Sequence, residues 1–87
     1  MLAVTQVTLI TPDTVIENGT LLVAGGRILA VGGPSLSVAD ATEIREAPGL
    51  ILAPGYLDLQ VNGGFGLDFT ANPATIWDVA TRLPRYG

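Results

Sequence analysis

The run Leu50-Ile51-Leu52-Ala53-Pro54-Gly55-Tyr56-Leu57-Asp58-Leu59-Gln60-Val61-Asn62-Gly63-Gly64-Phe65-Gly66 decides how the rest of the chain is read. It opens apolar and breaks at Pro54-Gly55. Beyond the break it alternates strictly, with Leu57, Leu59 and Val61 on one parity and Asp58, Gln60 and Asn62 on the other. Successive strand side chains point to opposite faces, so this alternation predicts a strand with one aliphatic face. The other face carries a carboxylate and two carboxamides, and Gly63-Gly64 ends the strand. A half-exposed edge strand would carry the same pattern. Solvated strand faces favour Lys, Glu, Arg and Thr, however, and these residues are short and, Asp58 apart, uncharged. That favours a packed or site-lining face.

Upstream of this run, short strand signals follow one another. Leu2–Ile10 is rich in Val, Thr and Ile with partial alternation, which suits a strand. Thr11-Pro12-Asp13 turns it, and Thr14–Glu17 predicts a short second strand. Asn18-Gly19 predicts a two-residue hairpin turn, because both residues tolerate positive φ. Thr20–Ala24 and Arg27–Val31 follow as strands, joined by a tight turn at Gly25-Gly26. The expected result is an antiparallel meander with Leu21, Val23, Ile28 and Val31 in its core. Ser35–Ala41 is a loop, Thr42–Glu46 is a short strand with Ile44 inward, and Leu50–Ala53 is another after the Pro48-Gly49 turn. The Gly-Gly pairs at Gly25 and Gly32 lack both the glycine spacing and the Lys-Ser/Thr ending of a phosphate loop. Gly63-Gly64-Phe65-Gly66 is a plain turn, or a loop of small residues whose N–H groups contact a ligand.

Downstream, Asn72-Pro73 starts a helix: Asn72 caps it, and Pro73 fits the first helical position, where its missing N–H costs nothing. Ile76, Val79, Ala80 and Leu83 then follow the spacing of one apolar helix face, with Trp77 beside it. Asp78 and Arg82, four apart, are placed to pair on the solvent face. Pro84 loosens the last turn.

Composition narrows the function. Eighty-seven residues allow one small domain, which buries roughly 60% of its unfolded surface. Hydrophobic residues make up 48% and charged residues 14%, an apolar balance that suits a chain with surface meant for further contacts. Net charge is −4, there is no lysine, and Arg27, Arg45, Arg82 and Arg85 form no basic run, which argues against nucleic-acid binding. With no cysteine there is neither a disulfide framework nor a thiolate zinc site, and with no histidine the commonest metal ligand and catalytic base is missing. No signal peptide is read, and no apolar run approaches the ~20 residues of a membrane span, so the expected location is the cytoplasm.

The segment Pro54-Gly55-Tyr56-Leu57-Asp58-Leu59-Gln60-Val61-Asn62-Gly63 resembles the first barrel strand of the amidohydrolase superfamily, Pro-Gly-apolar-apolar-Asp-x-His-x-His. Pro54, Gly55 and Asp58 match in place, while Gln60 and Asn62 stand where the two metal-holding histidines would be. Gln-x-Asn-Gly followed by a Gly-rich turn resembles one subgroup, the N-acetylglucosamine-6-phosphate deacetylases. The strand signals before Leu50 also fit.

The resemblance implies a mainly β fold: residues 1–54 as the start of a small antiparallel β-sandwich, and 55–87 as the first strand-helix unit of an incomplete (β/α)8 barrel. A whole barrel needs ~250 residues, and its active site lies at the C-terminal strand ends, where Gln60 and Asn62 would fall. The chain is then expected to be the N-terminal piece of a metal-dependent enzyme that hydrolyses the acetamide of an amino sugar phosphate. Amide oxygen is a weaker ligand than imidazole, so the swap deletes one metal position. The remaining divalent metal, expected to be zinc, would be held by a Glu and two His from later strands, and a later Asp would serve as general base and acid. Within the chain no catalytic or metal-ligating residue is expected; Gln60 and Asn62 line the site, and Gly63 and Gly64 are loop contacts. Unpaired strand edges and an uncovered helix stripe predict a homo-oligomer. One alternative is a self-contained β-rich interaction or assembly module without catalysis. Another is a cyclic-amide or nucleobase hydrolase, which Gln60 and Asn62 argue against.

Overall fold

A computed structural model describes residues 1–87. The chain divides into two compact units, Met1–Pro54 and Gly55–Gly87. In the first unit every strand is organised around β1 (Leu2–Ile10). On one edge of β1, β2 (Val15–Ala24) and then β3 (Arg27–Gly32) pair antiparallel. On its other edge, β4 (Glu43–Glu46) and β5 (Ile51–Leu52) pair parallel to it. β1, β2 and β3 thus form an antiparallel meander as expected, and the parallel β4 and β5 extend it into one mixed five-stranded sheet instead of a second layer. The reason is the connection after Gly32, which is long enough to return to the start of β1. There Met1 O accepts from the N–H of Thr42 at 2.9 Å and of Glu43 at 3.3 Å.

The Gly25-Gly26 turn forms as expected, with φ of 58° and 72° between the paired Ala24 and Arg27. The expected hairpin at Asn18-Gly19 does not form, and both residues lie inside β2. The pairing explains why. Val4 faces Leu21 and Val7 faces Gly19, so β1 carries one surplus residue; Leu9 then faces Ile16, so β2 carries one as well. Each strand therefore has a bulge, and the two offsets cancel. Gln6 (φ 60°) and Asn18 (φ 50°) take the left-handed conformations that the bulges require. Asn tolerates this conformation, whereas Gln does so at a cost of ~1–2 kcal/mol. Because the Gln6 side chain is exposed, Gln6→Gly is expected to raise unfolding stability by ~0.5–1 kcal/mol. A lower urea midpoint would show that the bulge does not depend on this backbone conformation.

The bulges also settle which residues share a face. Paired residues point the same way, so Leu2, Val4, Val7 and Leu9 of β1 join Leu21 and Val23 on one face. Ala3, Leu22 and Thr20 lie on the other. The buried residues of this unit are Ala3, Val7, Leu9, Gly19, Thr20 and Leu22. Burying Val7 and Leu9 contributes ~1.5–3 kcal/mol each. The expected core set fares differently: Leu21 and Val23 are half-buried, while Ile28 and Val31 are exposed. Ile28 and Val31 lie on β3, which pairs only with β2 and is the open edge of the sheet. Ile44, expected inward, is exposed on β4, the opposite edge strand.

Candidate functional site

The second unit holds the residues singled out by the sequence. From Gly55 to Asn62 no strand forms, and Leu57 and Leu59 are 93% and 98% exposed. The strand expected over Leu57–Asn62 is absent because a ladder needs a partner, and no strand of this chain runs alongside. Asp58 also bends the segment: its Oδ1 accepts the N–H of Gln60 at 3.0 Å, a turn that competes with extended pairing. Gln60 and Asn62 are both exposed.

Gly63 and Gly64 form a strand of their own rather than a turn. β6 (Gly63–Gly64) pairs antiparallel with β7 (Leu67–Asp68), and Asn62 O extends the ladder by accepting from Phe69 N–H at 3.0 Å. The turn falls at Phe65-Gly66, where φ values of 53° and 78° are those of a primed two-residue hairpin. Gly63 has no room for a side chain, since a Cβ would overlap the carbonyl oxygen of Leu67. A Cβ on Gly64 would stand 3.4 Å from Val79 Cγ1, so the hairpin packs closely on the helix.

That helix begins as expected: the Asn72 side chain accepts from Ala74 N–H at 3.3 Å, and Pro73 opens a 3-10 turn, Pro73–Thr75. Helix α1 (Ile76–Arg82) follows, and Pro84 lies in a final 3-10 turn, Leu83–Tyr86. Of the expected apolar stripe only Val79 is buried; Ile76, Ala80 and Leu83 are exposed, as is Trp77. Nor does Arg82 pair with Asp78. Its guanidinium lies over the Phe65 ring, 5.4 Å from the centroid, and the Tyr86 ring is 6.0 Å from that of Phe65 at 41°. A cation over an aromatic face is worth ~0.5–1 kcal/mol at an exposed site, comparable to a surface ion pair. Nothing in the sequence pattern pointed to this three-residue cluster.

Sequence reasoning also missed an open cleft of about 220 Å³ in the first unit, lined by Thr5, Gln6, Asn18, Thr20, Pro34, Leu36 and Val38. Its polar wall comes from the two bulges and its apolar wall from the loop after β3. No group of three His, Cys, Asp or Glu residues comes together anywhere in the chain to hold a metal ion. No helix is long and apolar enough to cross a membrane.

Three relatives define the lineage, and all are deacetylases. The chain is 47% identical over 85 residues to the N-acetylglucosamine-6-phosphate deacetylase of Mus musculus and 43% identical over 85 residues to that of Rattus norvegicus. Each match covers 84% of this chain and 20% of the relative. The Bacillus subtilis (strain 168) enzyme of the same name is 29% identical over 87 residues, 99% of this chain and 22% of the relative. No family model matches the chain, and no solved structure does. The chain belongs to the N-acetylglucosamine-6-phosphate deacetylase family and spans about a fifth of the length of these relatives.

Proposed function

We propose that this chain is the N-terminal portion of an N-acetylglucosamine-6-phosphate deacetylase, acting in the cytoplasm. In this reading Gly55–Gly87 supplies the first strand-helix unit of a catalytic barrel, and the reaction is hydrolysis of the substrate acetamide with release of acetate. The observation that carries it is the identity of 47% over 85 residues to a deacetylase of that name, in a chain that holds Pro-Gly-Tyr-Leu-Asp-Leu-Gln-Val-Asn-Gly. Leu57–Asn62 gains its strand pairing when a second barrel strand lies beside it, which buries Leu57 and Leu59. Asp58, Gln60 and Asn62 then face the barrel mouth.

What these residues can do follows from their chemistry. A carboxamide both donates and accepts without changing charge. Gln60 and Asn62 can therefore hold the substrate amide or the attacking water in place, but neither serves as a general base. Two amides at this position orient; the bond-breaking groups come from residues that this chain does not contain.

The test is Gln60→Ala and Asn62→Ala in the whole deacetylase. A neutral hydrogen bond is worth ~0.5–1.5 kcal/mol, so each substitution is expected to lower kcat/KM by roughly 2- to 10-fold. Unchanged kcat and KM in both would remove the assignment. The 87-residue chain alone is expected to release no acetate, and turnover by the pure chain would show that the missing groups are not needed.

A further inference from the structure

Phe65 occupies the first turn position of the β6–β7 hairpin with φ of 53°. Glycine or asparagine suits that position better, because a bulky side chain in the left-handed region is strained. The side chain at Phe65 must therefore serve some purpose that glycine could not. Its ring has two partners, Arg82 at the end of α1 and Tyr86 in the 3-10 turn that follows. Beside it, Gly64 lies against the fully buried Val79. The tip of the hairpin is thus tied to the helix at three places. Its base is Asn62, joined to Phe69 across the ladder. Only Gly63 and Gly64 separate base from tip, and both are held in β6.

We propose that Phe65, held by Arg82 and Tyr86, is a positioning residue that fixes the direction in which Asn62 presents its carboxamide to the amide of an amino sugar phosphate. This rests on the placement of Asn62 in the site under Proposed function. Phe65 itself does not touch the substrate; it acts through the ladder that ends at Asn62. Without its ring the hairpin loses two of its three ties to the helix, and the Asn62 backbone is free to rotate.

The experiment is a double-mutant cycle in the whole deacetylase, with kcat and KM measured for N-acetylglucosamine-6-phosphate. Phe65→Ala is expected to lower kcat about 5-fold with KM nearly unchanged, and Phe65→Tyr, which keeps the ring, to restore most of it. In the Asn62→Ala background, Phe65→Ala is expected to cost nothing further, because the group it positions is gone. Arg82→Met, which leaves the hairpin sequence intact, is expected to behave as Phe65→Ala does, guarding against a folding defect confined to the turn. Losses that multiply in the double mutant, or a Phe65→Tyr variant as poor as Phe65→Ala, would overturn the proposal. Unchanged kcat/KM in Asn62→Ala alone would remove the site assignment beneath it, and that result is visible before the cycle is closed.

Discussion

Gly63→Ala is expected to dismantle the hairpin of the second unit. The added methyl meets the carbonyl oxygen of Leu67, a backbone atom in the paired strand that cannot swing aside as a side-chain tip would. Relief requires the strands to part, which breaks the Gly63–Asp68 and Gly64–Leu67 pairing and the Asn62–Phe69 hydrogen bond. A clash of this kind costs ~3 kcal/mol or more, enough to open a 33-residue unit whose one fully buried aliphatic side chain is Val79. Amide exchange reads the result residue by residue. Protection at Phe69 is expected to vanish while the β1 amides, in the other unit, keep theirs. Gly64→Ala is the control, because its new methyl would meet Val79 Cγ1 at 3.4 Å, a contact that a small shift accommodates. Persistent protection of Phe69 in Gly63→Ala would show that the close pairing at Gly63 is not a property of the folded chain.

Gly19→Ala is expected to weaken the first unit by ~1–3 kcal/mol, the usual range for overpacking a core. The methyl would lie 2.6 Å from Leu9 Cδ1, 2.8 Å from Leu9 Cγ and 3.1 Å from Val7 O. Leu9 is 3% exposed, so its side chain has little space into which to retreat. Trimming it should relieve the clash: Leu9→Ala combined with Gly19→Ala is expected to cost less than the two single substitutions added together. Additive losses in urea unfolding would mean that Gly19 serves the backbone rather than the space above it.

The same pair of positions shows where the sequence could be read and where it could not. Asn18-Gly19 carries the strongest short hairpin signal in the chain, yet it lies within one continuous strand. Left-handed φ suits a bulge as well as a turn, and only pairing with β1 decides between them. The imperfect alternation of Leu2–Ile10 has the same origin. Leu2 and Val4 share a face with Val7 and Leu9 because Gln6 is an extra residue, so the period slips by one in mid-strand. Where a signal is local, as with Gly25-Gly26 or Asn72-Pro73, the structure matches it, since neighbours along the chain suffice to fix the backbone. At the candidate site, Gln60 and Asn62 were legible only as a motif. Their strand has no partner here, so alternation by itself could not make it a strand. The Phe65–Arg82–Tyr86 cluster joins residues far apart along the chain and has no signature in periodicity.

One further irregularity in the sheet bears on how its outermost strand meets other chains. Between β2 and β3, Leu22 faces Ala30 but Val23 faces Ile28, leaving Leu29 unmatched on the outermost strand. Ile28, Leu29 and Val31 are all exposed there, and a straight border with that composition would invite fibril-like stacking of one molecule on the next. The kink at Leu29 breaks the even spacing of hydrogen-bonding groups that a newcomer would have to match. The apolar rim of β3 is thereby a poorer match for an added strand than a straight edge of the same composition would be.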